Sequence, residues 1–232
     1  MENPSLYIIL LGRDRKRVSH VNKVLIPALL DKHANITRRN ISVLSAIDGN
    51  TNSLEVALQK LNVKSNENNK IGTTGKNRCA LACTLSHMMT WKSGLDHNYD
   101  HLIVLEDDAI VGKNFWKNIS LSLKQLPNNY DLLYLFIHPR SYNIHAPPIF
   151  ENSIITEAYE TYGTVGYMIS RNGMNKLMHI YQEIDDRTDE MLLRSVRNKD
   201  INAYSLIQPI CGTVGQLVKG DNKNLLPSNV FS

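Results

Sequence analysis

Leu6 to Leu11 form an unbroken run of six apolar side chains, closed by Gly12. A strand with one face in water alternates apolar and polar residues. A run without alternation belongs to a strand buried on both faces, as in a mostly parallel sheet covered by helices on each side. The following residues supply the first cover. Asp14 is placed as a helix N-cap, and Val18, Val21, Leu25, Leu29 and Leu30 recur at helical spacing, with Pro27 positioned to kink the helix. Ile41 to Ile47 reads as a second strand, closed by Asp48-Gly49. Strand, helix and strand in this order predict a parallel βαβ unit.

The alternation continues. A helix is predicted from about 79 to 97, with Leu81, Leu85, Met88 and Met89 as its apolar stripe. Leu102 to Leu105 is a second fully apolar strand and runs into Glu106-Asp107-Asp108. Beyond it the pattern predicts a helix over 115–126, strands over 131–137, 154–157 and 163–170, helices over 173–184 and 188–198, and a strand over 203–210. Residues 62–78 are polar and read as a loop, and the tail after Gly212 reads as irregular. No repeat or linker divides the sequence, so residues 1–232 are taken as one α/β domain.

A chain of 232 residues, 42% hydrophobic, buries about 70% of its unfolded surface and needs no disulfide or zinc staple. Three cysteines, an odd number, point away from a disulfide framework and towards a reducing compartment. No apolar run approaches the ~20 residues of a bilayer span. Arg13, Arg15, Lys16 and Arg17 stand where a signal peptide would place its cleavage site. The expected location is the cytoplasm, at most peripheral to a membrane. A net charge of +4 is too mild for a nucleic-acid-binding face. It suits one anionic ligand held locally.

Largely parallel sheets bind ligands at the carboxyl ends of their strands, which directs attention to Gly12, Asp48 and Glu106–Asp108. Three adjacent carboxylates after an apolar strand repel one another, and a divalent cation relieves the conflict. In an extended chain Glu106 and Asp108 share a face, and their oxygens select Mn²⁺ or Mg²⁺ over soft metals. Asp107 points elsewhere, to a ribose or to an internal hydrogen bond. A solvated acidic turn is the alternative.

Cys79, Cys83 and His87 line one helix face. Cys79 and His87 stand about 12 Å apart, too far to share a zinc ion, so this face is read as packing. Among Arg13, Arg15, Lys16 and Arg17, one or two are expected to meet a diphosphate and the others to be solvated. His138-Pro139-Arg140 and His145 fall in a Pro-rich loop. No Gly-x-Ser-x-Gly elbow, Walker loop or Gly-x-Gly-x-x-Gly occurs.

Several segments, in order, resemble glycosyltransferase family 25. They are Tyr7 to Arg17, Ala46-Ile47-Asp48-Gly49, Ala82-Cys83-Thr84-Leu85-Ser86-His87, Trp91-Lys92, Val104-Leu105-Glu106-Asp107-Asp108-Ala109, Tyr162 to Ser170 and Thr188-Asp189-Glu190. Ala82 stands where the family usually has Gly, and Tyr162 where it usually has Trp. No His follows His179, so a late histidine metal ligand is unavailable. The resemblance implies a GT-A type glycosyltransferase fold with a Rossmann-like, mostly parallel sheet. It implies a UDP-sugar donor, a glycan or hydroxylysine-type acceptor, and Mn²⁺ or Mg²⁺ held by Glu106 and Asp108. Leu11, Arg17, Asp48, His87, Asp107, Gly163, Thr164 and Gly166 would contact the nucleotide sugar. For an inverting transfer Asp189, with Glu190 second, would be the base. The alternative is a non-catalytic sugar-nucleotide or glycan-binding module that keeps the fold.

Overall fold

The computed structural model describes residues 5–32, 34–65, 75–138, 141 and 146–214. Residues 66–74, Pro139, Arg140, His145 and the tail after 214, on which loop readings fell, lie outside this set.

The first half of the chain gives β1 (Ser5–Leu10), α1 (Arg15–His20), a π-helical turn (Val21–Leu25), α2 (Ile26–Leu29), β2 (Ile41–Ser45), α3 (Ser53–Leu61), β3 (Lys64–Ser65), α4 (Gly75–Asp96), β4 (His101–Glu106) and β5 (Ala109–Val111). The second half gives α5 (Phe115–Gln125), β6 (Leu132–Tyr134), β7 (Ile155–Glu157), β8 (Gly166–Ser170), α6 (Arg171–Ile180), β9 (Glu183–Ile184), α7 (Thr188–Arg197), β10 (Ala203–Leu206) and β11 (Cys211–Thr213). Asp14 caps α1, accepting from the backbone N–H groups of Lys16 and Arg17. The irregularity expected at Pro27 lies one turn earlier, where Ile26 N–H reaches back to Val21 O in the π-helical turn. Proline lacks the N–H that would continue the ladder, so the helix is reset before it.

Seven strands form one sheet in the order β2-β1-β4-β8-β6-β10-β7. Pairing is parallel for β2-β1, β1-β4 and β6-β10 and antiparallel across β8 and at β7. Five strands therefore run one way and two the other. Two small pairs, β5-β11 and β3-β9, stand outside this sheet.

The apolar strands are buried on both faces. Tyr7, Ile9, Leu102 and Val104 enter one core with residues of α3, α4, α6 and α7. Leu6, Ile8, Ile103 and Leu105 enter the other with residues of the α1–α2 region, α5 and β5. This is the Rossmann-like α/β architecture, a mostly parallel sheet with helices on both faces, that the sequence led us to expect. Among the described residues no helix is long and apolar enough to cross a membrane.

Several boundaries differ from the pattern. The strand expected over 131–137 keeps only three residues, and that over 203–210 keeps four. The helix expected to 184 ends at Ile180, and Glu183–Ile184 pairs with β3 instead. Helix α3 was not expected.

Candidate active site

The carboxyl ends of β1, β2 and β4 meet the middle of α4 around a cavity of about 280 Å³. Strand order changes direction here: β2 lies on one side of β1 and β4 on the other. Such a switch point leaves a crevice between diverging loops. Of the residues singled out in the sequence, Leu11, Arg17, Asp48, His87, Glu106 and Asp107 line it, and so do Arg13, Cys83 and Ser86. A larger cavity, about 400 Å³, lies near Phe115, Ile154 and Pro209 and has no His, Cys, Asp or Glu in its lining.

The three carboxylates diverge. The chain leaves the extended conformation after Glu106, with Asp107 and Asp108 in a turn between β4 and β5. The shared face expected of residues i and i+2 therefore does not arise from strand geometry. Glu106 Oε1 accepts from Thr164 Oγ1 at 2.5 Å and stands 3.4 Å from His87 Nε2. Burial pushes the Glu106 carboxyl up, yet His87, Thr164 and Arg17 together hold it below its usual range. Asp107 is buried, accepts from Leu11 N at 2.8 Å and pairs with Arg17. It fastens the end of β4 to the end of β1 and to α1, the internal role allowed for in the sequence.

Asp108 is the one left over. Its Oδ1 is buried without a hydrogen-bond partner among the described residues. Burial, followed by the charge of Glu106, pushes its carboxyl up to about 6. A buried carboxylate oxygen with no partner is costly and is the kind of group that a cation satisfies. A carboxylate oxygen is a hard donor, of the kind that Mn²⁺ or Mg²⁺ takes.

On the opposite wall Arg13 pairs with Asp48 at 2.7 Å, while Arg17 takes Asp107. Arg15 and Lys16 are exposed and do not line the cavity. Asp48 also accepts from Asn50 N at 2.9 Å. Arg78 Nε, which the sequence reading did not single out, donates to Gly49 O at 2.9 Å and ties the loop after β2 to α4.

Helix α4 brings polar residues to the site and pairs most of them, while His87 Nε2 has no hydrogen-bond partner among the described residues. Ser86 Oγ accepts from Ile47 N at 2.9 Å and donates to Ala82 O. His87 Nδ1 and Trp91 Nε1 both reach Tyr167 Oη, at 2.9 and 2.8 Å. Cys83, read as packing, opens onto the cavity, and its sulfur, a nitrogen of His87 and an oxygen of Glu106 lie within 4.8 Å of one another. Its thiol is pushed up by burial first, then by the charges of Glu106, Asp189 and Asp107.

The segment after Tyr162 serves the site from behind. Glu106 N donates to Val165 O at 2.9 Å, which lays the segment along β4. Gly163 holds φ at +101°, and an added Cβ would meet the Phe136 ring at 2.6 Å. A Cβ on Gly166 would meet Cys211 Sγ at 3.0 Å. Gly163, Thr164 and Gly166 do not line the cavity. Asp189 and Glu190 begin α7 and are also outside the lining. Thr188 Oγ1 bonds Thr84 Oγ1 at 2.9 Å, which fixes the start of α7 beside Cys83. Glu190 is exposed, and its carboxyl is raised by partial burial and by Asp189 and Asp186.

The sequence profile described as "Glycosyltransferase family 25 (LPS biosynthesis protein)" matches residues 3–192. "Procollagen galactosyltransferase 2" of Homo sapiens is 22% identical over 142 residues, which is 60% of this chain and 23% of that protein. "Lipooligosaccharide biosynthesis protein lex-1" of Haemophilus influenzae is 24% identical over 177 residues, 71% of this chain and 57% of that protein. The chain thus spans about a quarter of the first relative and just over half of the second. Among solved structures, A197 from STIV aligns with a TM-score of 0.43 and 15% identity, covering 88% of this chain and 82% of that one. Mouse xyloside xylosyltransferase 1 aligns with a TM-score of 0.41 and 8% identity, covering 85% and 83%. The profile runs from the first strand through the start of α7, and the chain belongs to glycosyltransferase family 25.

Proposed function

We propose that the chain transfers a hexose, galactose or glucose, from a UDP-sugar to a hydroxyl of a glycan or a hydroxylysine-type acceptor, with inversion. The observation that carries this reading is the pairing of opposite charges in one crevice. Arg13 and Arg17 line the cavity together with Glu106 and Asp107, and Asp108 follows in the turn.

Asp108, with Glu106, would hold the divalent ion, which when bound supplies Lewis-acid neutralisation of the departing diphosphate. The chain's own residues do the rest. Arg13 and Arg17 offer their guanidinium groups to the phosphates, and Asp107 keeps Arg17 in place. Leu11 and Ile47 furnish the apolar wall for the uracil side. Asp48 stands at the end of β2, where a ribose hydroxyl can be met. Asp189 takes the proton from the acceptor hydroxyl as the new glycosidic bond forms. Asp189 follows Thr188, whose hydroxyl bonds that of Thr84 on α4, which supports a position beside the α4 wall. Glu190 points about 100° away around the helix, so only one of the two serves.

The test is UDP release from UDP-galactose and UDP-glucose in Mn²⁺, with glycan and hydroxylysine-peptide acceptors. Asp189→Asn should lower turnover by ~10²–10⁴ with little change in UDP affinity. Asp108→Asn should abolish transfer in a folded protein. UDP binding without any UDP release, across donors and acceptors, would replace the enzyme with a non-catalytic binding module.

A further inference from the structure

We propose that Cys83, His87 and Glu106 form a separate divalent-cation site of the zinc class, on the α4 side of the cavity. It shares Glu106 with the transfer reading but uses Cys83 and not Asp108, so substitutions at those two residues tell the two readings apart.

Three observations converge. The sulfur of Cys83, a ring nitrogen of His87 and a carboxylate oxygen of Glu106 lie within 4.8 Å of one another. His87 is 1% exposed, and its Nε2 has no hydrogen-bond partner among the described residues. The nearest oxygen to pair with it, Glu106 Oε1, is 3.4 Å away, beyond the ~2.7–3.2 Å of an N–H···O bond. With zinc–nitrogen and zinc–oxygen bonds of about 2.0–2.1 Å, tetrahedral geometry places those two ligand atoms ~3.3 Å apart. The observed spacing suits a shared metal better than a direct hydrogen bond.

The surroundings supply what such a site needs. Cys83 and His87 are one helical turn apart on α4 and project from the same face. Glu106 is held from the far side by Thr164 at 2.5 Å. Tyr167 Oη sits behind His87 Nδ1 at 2.9 Å. Ligation uses the tautomer in which Nδ1–H donates to that oxygen, which has two lone pairs and takes Trp91 on the other. An outer partner of this kind orients a metal-binding imidazole. All three ligands line the cavity, so the fourth tetrahedral position opens towards it, as in zinc sites that keep an exchangeable ligand. A thiolate and an imidazole select zinc over magnesium or manganese, opposite to the all-oxygen choice at Asp108. A zinc ion here would draw Glu106 away from Asp108 and oppose transfer.

The experiment titrates the full chain, stripped of metal, with Co²⁺ as a zinc probe. One equivalent should give thiolate-to-cobalt charge-transfer absorption, which Zn²⁺ displaces. Cys83→Ser should abolish the band and weaken Zn²⁺ binding at least tenfold. Glu106→Gln should weaken it too, with circular dichroism verifying the fold of each variant. Cys79→Ser and Asp108→Asn should leave the band in place. Absence of a band in the unmodified chain, its survival in Cys83→Ser, or its loss in Cys79→Ser would overturn the proposal. Retention of the band in Asp108→Asn together with absent UDP release in the unmodified chain would sink the transfer reading and leave this site standing.

Discussion

Asp108 is costly to the metal-free fold when ionised. Burial and the neighbouring carboxylates raise its pKa from 3.8 to about 6, while in the unfolded chain it titrates near its ordinary value. The folded state therefore binds this proton more tightly than the unfolded state does. Its contribution to stability falls as pH rises from about 4 to about 6 and is fully lost above that. At 1.36 kcal/mol per pKa unit the cost at neutral pH is at most about 3 kcal/mol. Asp108→Asn should flatten that slope and raise the metal-free Tm at pH 7 by a few degrees. Thermal melts in EDTA at several pH values measure both. A variant that melts lower than the parent at pH 7 would mean that the carboxylate has a favourable partner in the fold. The same substitution that stabilises the protein should destroy transfer, a trade expected where a site holds unpaired charge for a ligand.

Helix α4 carries the site and is buried on nearly every side: Leu81, Thr84, Leu85, His87, Thr90, Trp91 and Gly94 are all buried. Apart from His87 Nε2, its buried polar side chains take local or cross-element bonds, among them Thr90 Oγ1 to Ser86 O at 2.8 Å. The Tyr167 hydroxyl is the shared anchor. Tyr167→Phe orphans both Trp91 Nε1 and His87 Nδ1, and each buried orphan costs about 1–3 kcal/mol. Urea unfolding at constant m-value should register the loss, and a change within experimental error would show that water replaces the hydroxyl. Elements of this length reveal how far sequence reaches. The strands at Leu6 and Leu102 were legible because burial on both faces leaves an unbroken apolar run. Strands β3, β5, β9 and β11 span two or three residues, too few to show any period. The apolar stripe of α4 was read as Leu81, Leu85, Met88 and Met89, but burial continues around Thr84, Ser86 and His87, where polarity hides it. The carboxylate triplet announced a site through its place at a strand end. Its geometry did not follow, because the chain turns at Asp107: Glu106 meets Thr164 and His87, Asp107 meets Leu11 and Arg17, and Asp108 Oδ1 is left without a partner among the described residues. Cys83, His87 and Glu106 share a site only through the packing of α4 on β4, a contact that no local spacing records.

At the scale of the whole molecule, the ends of three parallel strands bring basic and acidic groups into one crevice, with Arg13 paired to Asp48 and Arg17 to Asp107. A diphosphate entering this crevice meets Arg13 and Arg17 but also the carboxylates of Glu106 and Asp107. UDP should therefore bind weakly in EDTA and at least tenfold more tightly with Mn²⁺. Calorimetry under both conditions decides it, and equal affinities would remove the cation from the binding account. The sheet holds a consequence of another kind. Strand β8, at Gly166–Ser170, lies between β4 and β6 and, among the described residues, is the one strand joining β2-β1-β4 to the rest of the sheet. During synthesis β4 is finished some sixty residues before β8 leaves the ribosome. A nascent chain halted in that interval presents Leu102 to Leu105 as a bare apolar edge, open to pairing with another chain. The order of translation thus makes the middle of the polypeptide its most aggregation-prone stage, and completion of one late strand ends that exposure.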